Sequence, residues 1–474
     1  MTKIAIIGAG SIVFCKTLIL DVLATPGMED VRFSLMAPST RRTAQVADYI
    51  GRVIRENHLS AQVEVTTDRR QALQGAQFVI ATLQIGGNEA YALDIGIPLR
   101  YGVDQCIGDS MGPGGIFRAA RTIPVMDALA RDMRDCCPDA LLLNYVNPMA
   151  MVCNALQDAG INSVGLCHGV QTTLDLIAGY AGVPKQEIDF LCAGINHMAW
   201  FLRLSHGGRD LYPMLRDRIE DPAYYANEKV RGEVFRHTGF LMTESTGHLS
   251  EYLPWFRKNQ QERDTYCDEP AFGGETGAAL KFGLAVDRKY GSRMLLEDEP
   301  AALPARSVEY GSYIIEALTL NRPFRFNGNL RNDGLIDNLP QDGCVEVPVL
   351  ADGTGLHPQP VGRLPAVCAA MNASNMLMQR MATDAARSGD PELLAQAVSM
   401  DPLTAAVLDL KGIRDMTADL LEAQRRWLPQ FGDRTVRRLP AIAIPENLAR
   451  VSVPVDPALA ILARFGELGT EPGT

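Results

Sequence analysis

No stretch of this sequence holds the roughly twenty consecutive apolar residues that a bilayer-spanning helix needs. The most apolar run, Leu141-Leu142-Leu143 onward, soon meets Asn144, Asn147 and Pro148, so a membrane protein is not expected. A secretory leader is not read either: the apolar run in Met1–Ile7 is too short and feeds straight into a glycine turn. Positive charge is short, with 45 Lys and Arg against 56 Asp and Glu and a net charge of -11. A broad basic surface for nucleic acid or anionic lipid is therefore excluded, although a small anionic substrate needs only a few local Arg or Lys. Ten cysteines without an export leader read as reduced thiols rather than a disulfide framework, and a cytoplasmic location is expected. Internal repeats and low-complexity blocks are also missing. Hydrophobic residues at 47% and charged residues at 21% are those of an ordinary globular chain, so disorder is not expected.

What is present is an alternation of short apolar runs, turns and helical patterns over the first 170 or so residues. Strands are predicted at Ile4–Ile7, Val31–Met36, Val63–Thr66, Phe78–Leu83, Ala140–Tyr145 and Ser163–Cys167. Helices are predicted after Ser11 through Leu23 and from about Thr40 to Asn57. Strands alternating with helices imply a parallel sheet, with ligand-facing residues at the strand C-termini. Beyond about Thr172 the pattern loosens: strands are expected at Leu191–Ile195 and Trp200–Leu204, and helices at Tyr224–Phe240, Ser307–Leu320 and Leu364–Arg387. The division expected is a dinucleotide domain over 1–172, an α+β metal and substrate domain over 173–465, and a flexible tail over 466–474.

Gly8-x-Gly10-Ser11 joins the first predicted strand to the first helix. Glycines there permit a tight turn and let backbone N–H groups and the helix N-terminus approach a pyrophosphate, which is the Rossmann arrangement. An ordinary tight turn is the alternative. The third fingerprint glycine is replaced by Val13, and the acidic residue that grips the adenosine ribose is replaced by Ala37, followed by Pro38-Ser39-Thr40-Arg41-Arg42. Ser39 or an arginine such as Arg42 could bind a 2′-phosphate, or Arg41 and Arg42 could simply be solvated at a helix start. NAD and NADP both remain open.

Four further motifs occur in one order: Gly108-Asp109-Ser110-Met111-Gly112-Pro113-Gly114-Gly115, Asn144-Tyr145-Val146-Asn147-Pro148-Met149-Ala150-Met151, Gly165-Leu166-Cys167-His168-Gly169-Val170-Gln171 and Ala193-Gly194-Ile195-Asn196-His197-Met198-Ala199. Thr243-Glu244-Ser245, His248, Glu251-Tyr252, Pro254-Trp255-Phe256, Arg331 to Gln341 and Asp401-Pro402 continue the series. Together they resemble the NAD- and metal-dependent glycosidases of glycoside hydrolase family four, from residue 3 to about 430, and among them the bacterial α-galactosidase and α-glucuronidase branch. The resemblance implies an α/β fold with an N-terminal, lactate-dehydrogenase-like Rossmann domain and a C-terminal α+β substrate domain. It implies NAD (or NADP), Mn²⁺ or a similar divalent metal, a small-molecule α-glycoside as partner, and a homodimer or homotetramer. It also implies redox-assisted elimination rather than two-carboxylate hydrolysis. Hydride leaves C3 for the cofactor, a base removes the acidified C2 proton, and the C1 leaving group departs. Water then adds and the hydride returns. A sugar or hydroxy-acid dehydrogenase would share the dinucleotide domain but would need no Cys–His metal pair.

Carried onto this chain, the resemblance makes Cys167 and His197 the metal ligands, although the residues alone equally fit a buried thiol and a core histidine. Asn147 becomes a substrate ligand and Asn144 a bridge toward the nicotinamide, joining Gly8, Gly10, Ser11, Ser39 and Arg42 in cofactor binding. Tyr252 is the expected C2 base, with His248 and Glu251 beside it as alternatives and a structural aromatic as the plain reading. A free phenol titrates near 10, so nearby positive charge must lower it. Asp109 and His168 are the candidates for the acid that protonates the leaving oxygen, His168 also contacting substrate; Asp109 could equally cap the loop after it. Gly169 stands where the galactosidase branch would carry serine. That change suggests room for an anionic C6 group, as in a glucuronide or sulfoquinovoside, with Arg118, Arg121 or Arg331 as its partner. Structural ion pairs are the alternative for each arginine, and a neutral α-galactoside is the alternative substrate.

Overall fold

Each early strand places alternate residues on opposite faces of a sheet, and in the first of them both faces are apolar. In the computed structural model, which describes residues 1–291, 296, 299–449, 451, 452, 454, 457 and 458, β1 (Thr2–Ile7) sends Ile4 and Ile6 into one core and Ala5 and Ile7 into another. The period-2 geometry of a strand dictates that split, and burial on both faces explains the unbroken apolar run. The following elements are α1 (Ile12–Leu23), β2 (Val31–Met36), α2 (Thr40–Glu56), β3 (Gln62–Thr66), α3 (Arg69–Leu73), β4 (Phe78–Ala81), α4 (Gly87–Arg100) and α5 (Gly112–Cys136). Then come β5 (Leu141–Asn144), α6 (Met149–Asp158), β6 (Ser163–Gly165) and α7 (Gly169–Ala181). The six strands pair in parallel in the order β3-β2-β1-β4-β5-β6, which is the strand order of a Rossmann domain.

The sheet does not stop there. It continues through β10 (Phe324–Arg331), β11 (Cys344–Asp352), β7 (Ile188–Ile195), β8 (Met198–His206) and β9 (Arg209–Asp210), with β12 (Gly355–Pro358) paired to β11. From β10 on, every pairing is antiparallel. The division expected at residue 172 falls inside α7, and the halves on either side share this sheet. Met1–Arg438 make one compact unit and Leu439–Thr474 another; every described residue from Leu439 onward is exposed, and the tail expected at 466–474 lies outside the described residues.

Two helix expectations need correction. The helix predicted over Tyr224–Phe240 is two helices, Pro222–Tyr225 and Lys229–Thr238, because Asp221 caps the first turn and the chain re-enters helix only after Glu228. The helix predicted from Ser307 begins at Gly311, since Ser307 is hydrogen-bonded through its N–H and hydroxyl to Asp21. β10 and β11 were not anticipated. No helix among the described residues is long and apolar enough to cross a membrane.

Candidate active site

The C-terminal ends of β1, β2 and β4 open on a cavity of about 670 Å³ lined by Gly8, Gly10, Ser11, Ser39 and Arg42. Gly8 adopts φ +94, and a Cβ there would stand 2.7 Å from the backbone nitrogen of Leu83. Only glycine allows that approach, so the turn stays flat against the strand ends and leaves the cavity clear. Ser39 caps α2 by accepting from the N–H of Arg41 at 3.5 Å. Arg42 is paired at 3.2 Å with Asp287, which comes from the distant helix Ala278–Gly291 and also lines the cavity. The carboxylate missing at Ala37 is thus matched by one from far along the chain, which local pattern could not reveal. Asn144 departs from expectation. It is fully buried and hydrogen-bonded within its own turn, accepting from the N–H of Val146 and donating to that residue's carbonyl, both at 3.2 Å. Both atoms of its amide are thus engaged within the turn.

Cys167 follows β6, and His197 sits in the turn between β7 and β8 at φ 61. The structure brings them together. A Cys167 sulfur, a His197 ring nitrogen and a carboxylate oxygen of Glu244 all lie within 4.8 Å of one another. Glu244 carried no expected role. Its Oε1 is buried with no hydrogen-bond partner, and burial pushes the Cys167 thiol well up, helped by the charges of Glu244 and Glu346. Glu346, on β11, is itself raised to about 8 by burial. Several acidic groups and a thiol enclosed without a cation are unfavourable, and a bound divalent ion compensates them. The donor set fits such an ion.

Tyr252, the last residue of the helix Thr246–Tyr252, lies against this cluster with its hydroxyl 3.2 Å from Nδ1 of His197. Burial pushes its phenol well above the ordinary value, and the charges of Asp109 and Glu244 add to the effect. Asp109 and Asn147 meet directly: Asn147 Nδ2 donates to Asp109 at 2.9 Å, and Ser110 donates at 2.7 Å. Burial opposes ionisation of Asp109, but Arg118, His248 and these hydrogen bonds outweigh it and hold the carboxyl low. His168, at the start of α7, is 2.8 Å from Glu309, and that hydrogen bond raises its pKa. His248 stacks edge-on against His197 with ring centroids 4.5 Å apart, and burial lowers its pKa. Glu251 accepts from the N–H groups of Ile107 and Gly108 at 2.5 and 2.9 Å. It holds the Gly108–Gly112 loop against the helix.

Two of the arginines expected to meet an anionic substrate are paired with carboxylates, and Arg118 stands beside Asn147. Arg121 forms a buried pair with Asp94 at 2.6 Å. Arg118 donates to the Asn147 carbonyl at 3.3 Å and lies over the Tyr91 ring. Arg331 is misplaced by the expectation: β10 runs antiparallel to β6, with Asn329 opposite Gly165, so Arg331 lies toward the far end of the sheet from Cys167. It faces Asp158 at 3.6 Å. The room expected over Gly169 is filled, because a Cβ there would meet the carboxylate of Glu244.

Residues 3–183 match the family model described as family 4 glycosyl hydrolase, and residues 192–404 match the model for that family's C-terminal domain. An α-galactosidase of Rhizobium meliloti (strain 1021) is 40% identical over 463 residues, 95% of this chain and 93% of that protein. An α-galacturonidase of Lachnoclostridium phytofermentans is 28% identical, over 90% of this chain and 97% of that protein. Among solved structures, the Bacillus subtilis glucosidase candidate lplD superposes with a TM-score of 0.78 at 26% identity, covering 89% of this chain and all (100%) of that one. A 6-phospho-β-glucosidase of Thermotoga maritima, solved with manganese, NAD⁺ and glucose-6-phosphate, shares the fold at TM-score 0.74 and 19% identity, over 90% and 99% of the two chains. With the two models matching residues 3–183 and 192–404 and a relative at 40% identity over 95% of this chain, this chain belongs to family 4 of the glycosyl hydrolases.

Proposed function

We propose that the chain is an α-glycosidase that works by transient oxidation at C3, with NAD in the β1–β4 cavity and a divalent metal such as Mn²⁺ on Cys167 and His197. The observation that carries this reading is the contact between the Tyr252 hydroxyl and His197 at 3.2 Å, which sets a proton-accepting oxygen beside a metal-type donor cluster. When bound, the dinucleotide supplies a hydride acceptor and donor for the sugar, and the metal supplies Lewis-acid charge near its C2 and C3 oxygens. Tyr252 takes the proton from C2. Its phenol is high in the protein alone, so a neighbouring cation is what makes the phenolate accessible. Asn147, oriented by Asp109, binds sugar hydroxyls. His168 donates the proton to the leaving oxygen, since Glu309 keeps it protonated to higher pH, whereas Asp109 is held ionised and is a poor acid. A homodimer or homotetramer in the cytoplasm belongs to the same reading.

For the substrate, a neutral α-galactoside is favoured: Arg121 and Arg331 are paired with Asp94 and Asp158, and the space over Gly169 holds a carboxylate. A second reading, an α-glycoside with an anionic C6 group such as a uronide or sulfoquinovoside, is favoured by Arg231. That buried guanidinium has Nε and one terminal nitrogen without partners. Nitrophenyl α-galactoside, α-glucuronide, α-galacturonide and α-sulfoquinovoside assayed side by side separate the two. Turnover of the galactoside alone supports the first reading, and turnover of an acidic glycoside alone replaces it with the second.

A further inference from the structure

Position 169 needs glycine for a reason unrelated to its backbone, which lies in the first turn of α7. A Cβ built there would stand 1.5 Å from Oε1 of Glu244 and 2.7 Å from its Cδ. Both atoms are the far end of the Glu244 side chain, so a methyl group at position 169 displaces that carboxylate. Glu244 has φ 82, in the left-handed region where a non-glycine residue is strained. Two contacts keep it there: its N–H donates to Thr173 Oγ1 at 3.2 Å, and its carbonyl accepts from Arg231. The side chain is 9% exposed, its Oε2 is 3.6 Å from His248, and its Oε1 has no hydrogen-bond partner. A strained backbone and a missing Cβ therefore combine to set the Glu244 carboxylate in this cluster, one of its oxygens within 4.8 Å of Cys167 and His197 and its Oε1 out of water without a hydrogen-bond partner. An enclosed anionic oxygen without a donor is costly unless a cation meets it.

We propose that Glu244 is a third protein ligand of the metal held by Cys167 and His197, and that Gly169 is the residue that admits it. This rests on the metal reading given above. A thiolate and an imidazole alone suit Zn²⁺ at least as well as Mn²⁺, and a carboxylate adds the hard oxygen that Mn²⁺ favours. Its charge joins the thiolate's in neutralising the ion.

The test is Mn²⁺ affinity of the full chain, read as free Mn²⁺ by electron paramagnetic resonance, without any assay of turnover. Glu244→Gln keeps the shape and should weaken Mn²⁺ binding at least about tenfold, the lower end of what even outer ligand partners contribute. Gly169→Ala, which leaves Glu244 in the sequence but evicts its carboxylate, should weaken binding comparably. In a Glu244→Ala background, where the new methyl has room, Gly169→Ala should cause no further loss. Wild-type affinity in Glu244→Gln overturns the proposal, as does an equal loss from Gly169→Ala with and without Glu244. Cys167→Ser and His197→Ala distinguish the two levels. If they also bind Mn²⁺ as wild type, the metal reading itself fails; if only they lose it, Glu244 alone is cleared.

Discussion

Removing the Tyr252 hydroxyl leaves a ring whose packing beside His197 is otherwise kept, so Tyr252→Phe separates a base from a core aromatic. The expected result is a fall in kcat of about 10²–10⁴-fold, the usual loss for a general base, with the melting temperature little changed. Two arginines give a contrast of the opposite kind. Arg121 is 1% exposed against a fully buried Asp94, and Arg121→Ala would strand that carboxylate. A stability loss of about 3–5 kcal/mol is expected in denaturant unfolding. Arg331 is 45% exposed, and Arg331→Ala should change stability by less than about 0.5 kcal/mol and leave kcat/KM as it was. A large rise in KM for Arg331→Ala would restore the substrate role expected from its motif. At this scale the proposed metal ligands Cys167 and His197 could be picked out, because each sits in a recognisable motif just beyond a strand. Glu244 was not, since its importance lies in what meets it across space. The one local sign was Gly169, which reads as vacancy until the carboxylate above it is seen.

Helix and strand ends set the next level of the site. His168 opens α7, and Glu309 stands just before the helix Gly311–Leu320, so their contact ties two elements across the active-site face. Because Glu309 raises the His168 pKa, an acid role for His168 is retained to higher pH than a free imidazole would allow. Activity that needs protonated His168 is lost as pH rises through that raised value. Glu309→Gln should accordingly move the alkaline limb of kcat/KM to lower pH, while a limb that does not move assigns the acid elsewhere. The helix Ala278–Gly291 contributes Asp287 opposite Arg42 at the dinucleotide cavity. That carboxylate opposes a 2′-phosphate, so NAD should be preferred despite Ala37. Asp287→Asn should shift the NADP-to-NAD affinity ratio toward NADP by about tenfold, roughly 1.4 kcal/mol, in nucleotide titrations. β1, β4 and β5 were readable as short, buried apolar runs. β10 was hidden by Asn327, Gly328 and Asn329, the two asparagine Nδ2 groups donating inside the sheet to the carbonyls of Cys192 and Gly165. β11 was hidden by Glu346 and Pro348 among its valines.

Across the whole molecule, one sheet carries the dinucleotide turn at the ends of its parallel strands and the donor cluster where β6 and the β7–β8 turn converge. The account makes both ligands necessary for one reaction. After chelation and removal of bound nucleotide, neither Mn²⁺ nor NAD alone should restore turnover, and both together should. Since the hydride returns, NAD should not be consumed. The most direct test is hydrolysis in D₂O of whichever nitrophenyl α-glycoside is turned over, with the product sugar examined by proton NMR and mass spectrometry. Deprotonation at C2 with later reprotonation predicts one deuterium at C2, with the original hydrogen kept at C3. A product formed at the normal rate with only protium at C2 would contradict redox-assisted elimination and return the chain to direct displacement at C1.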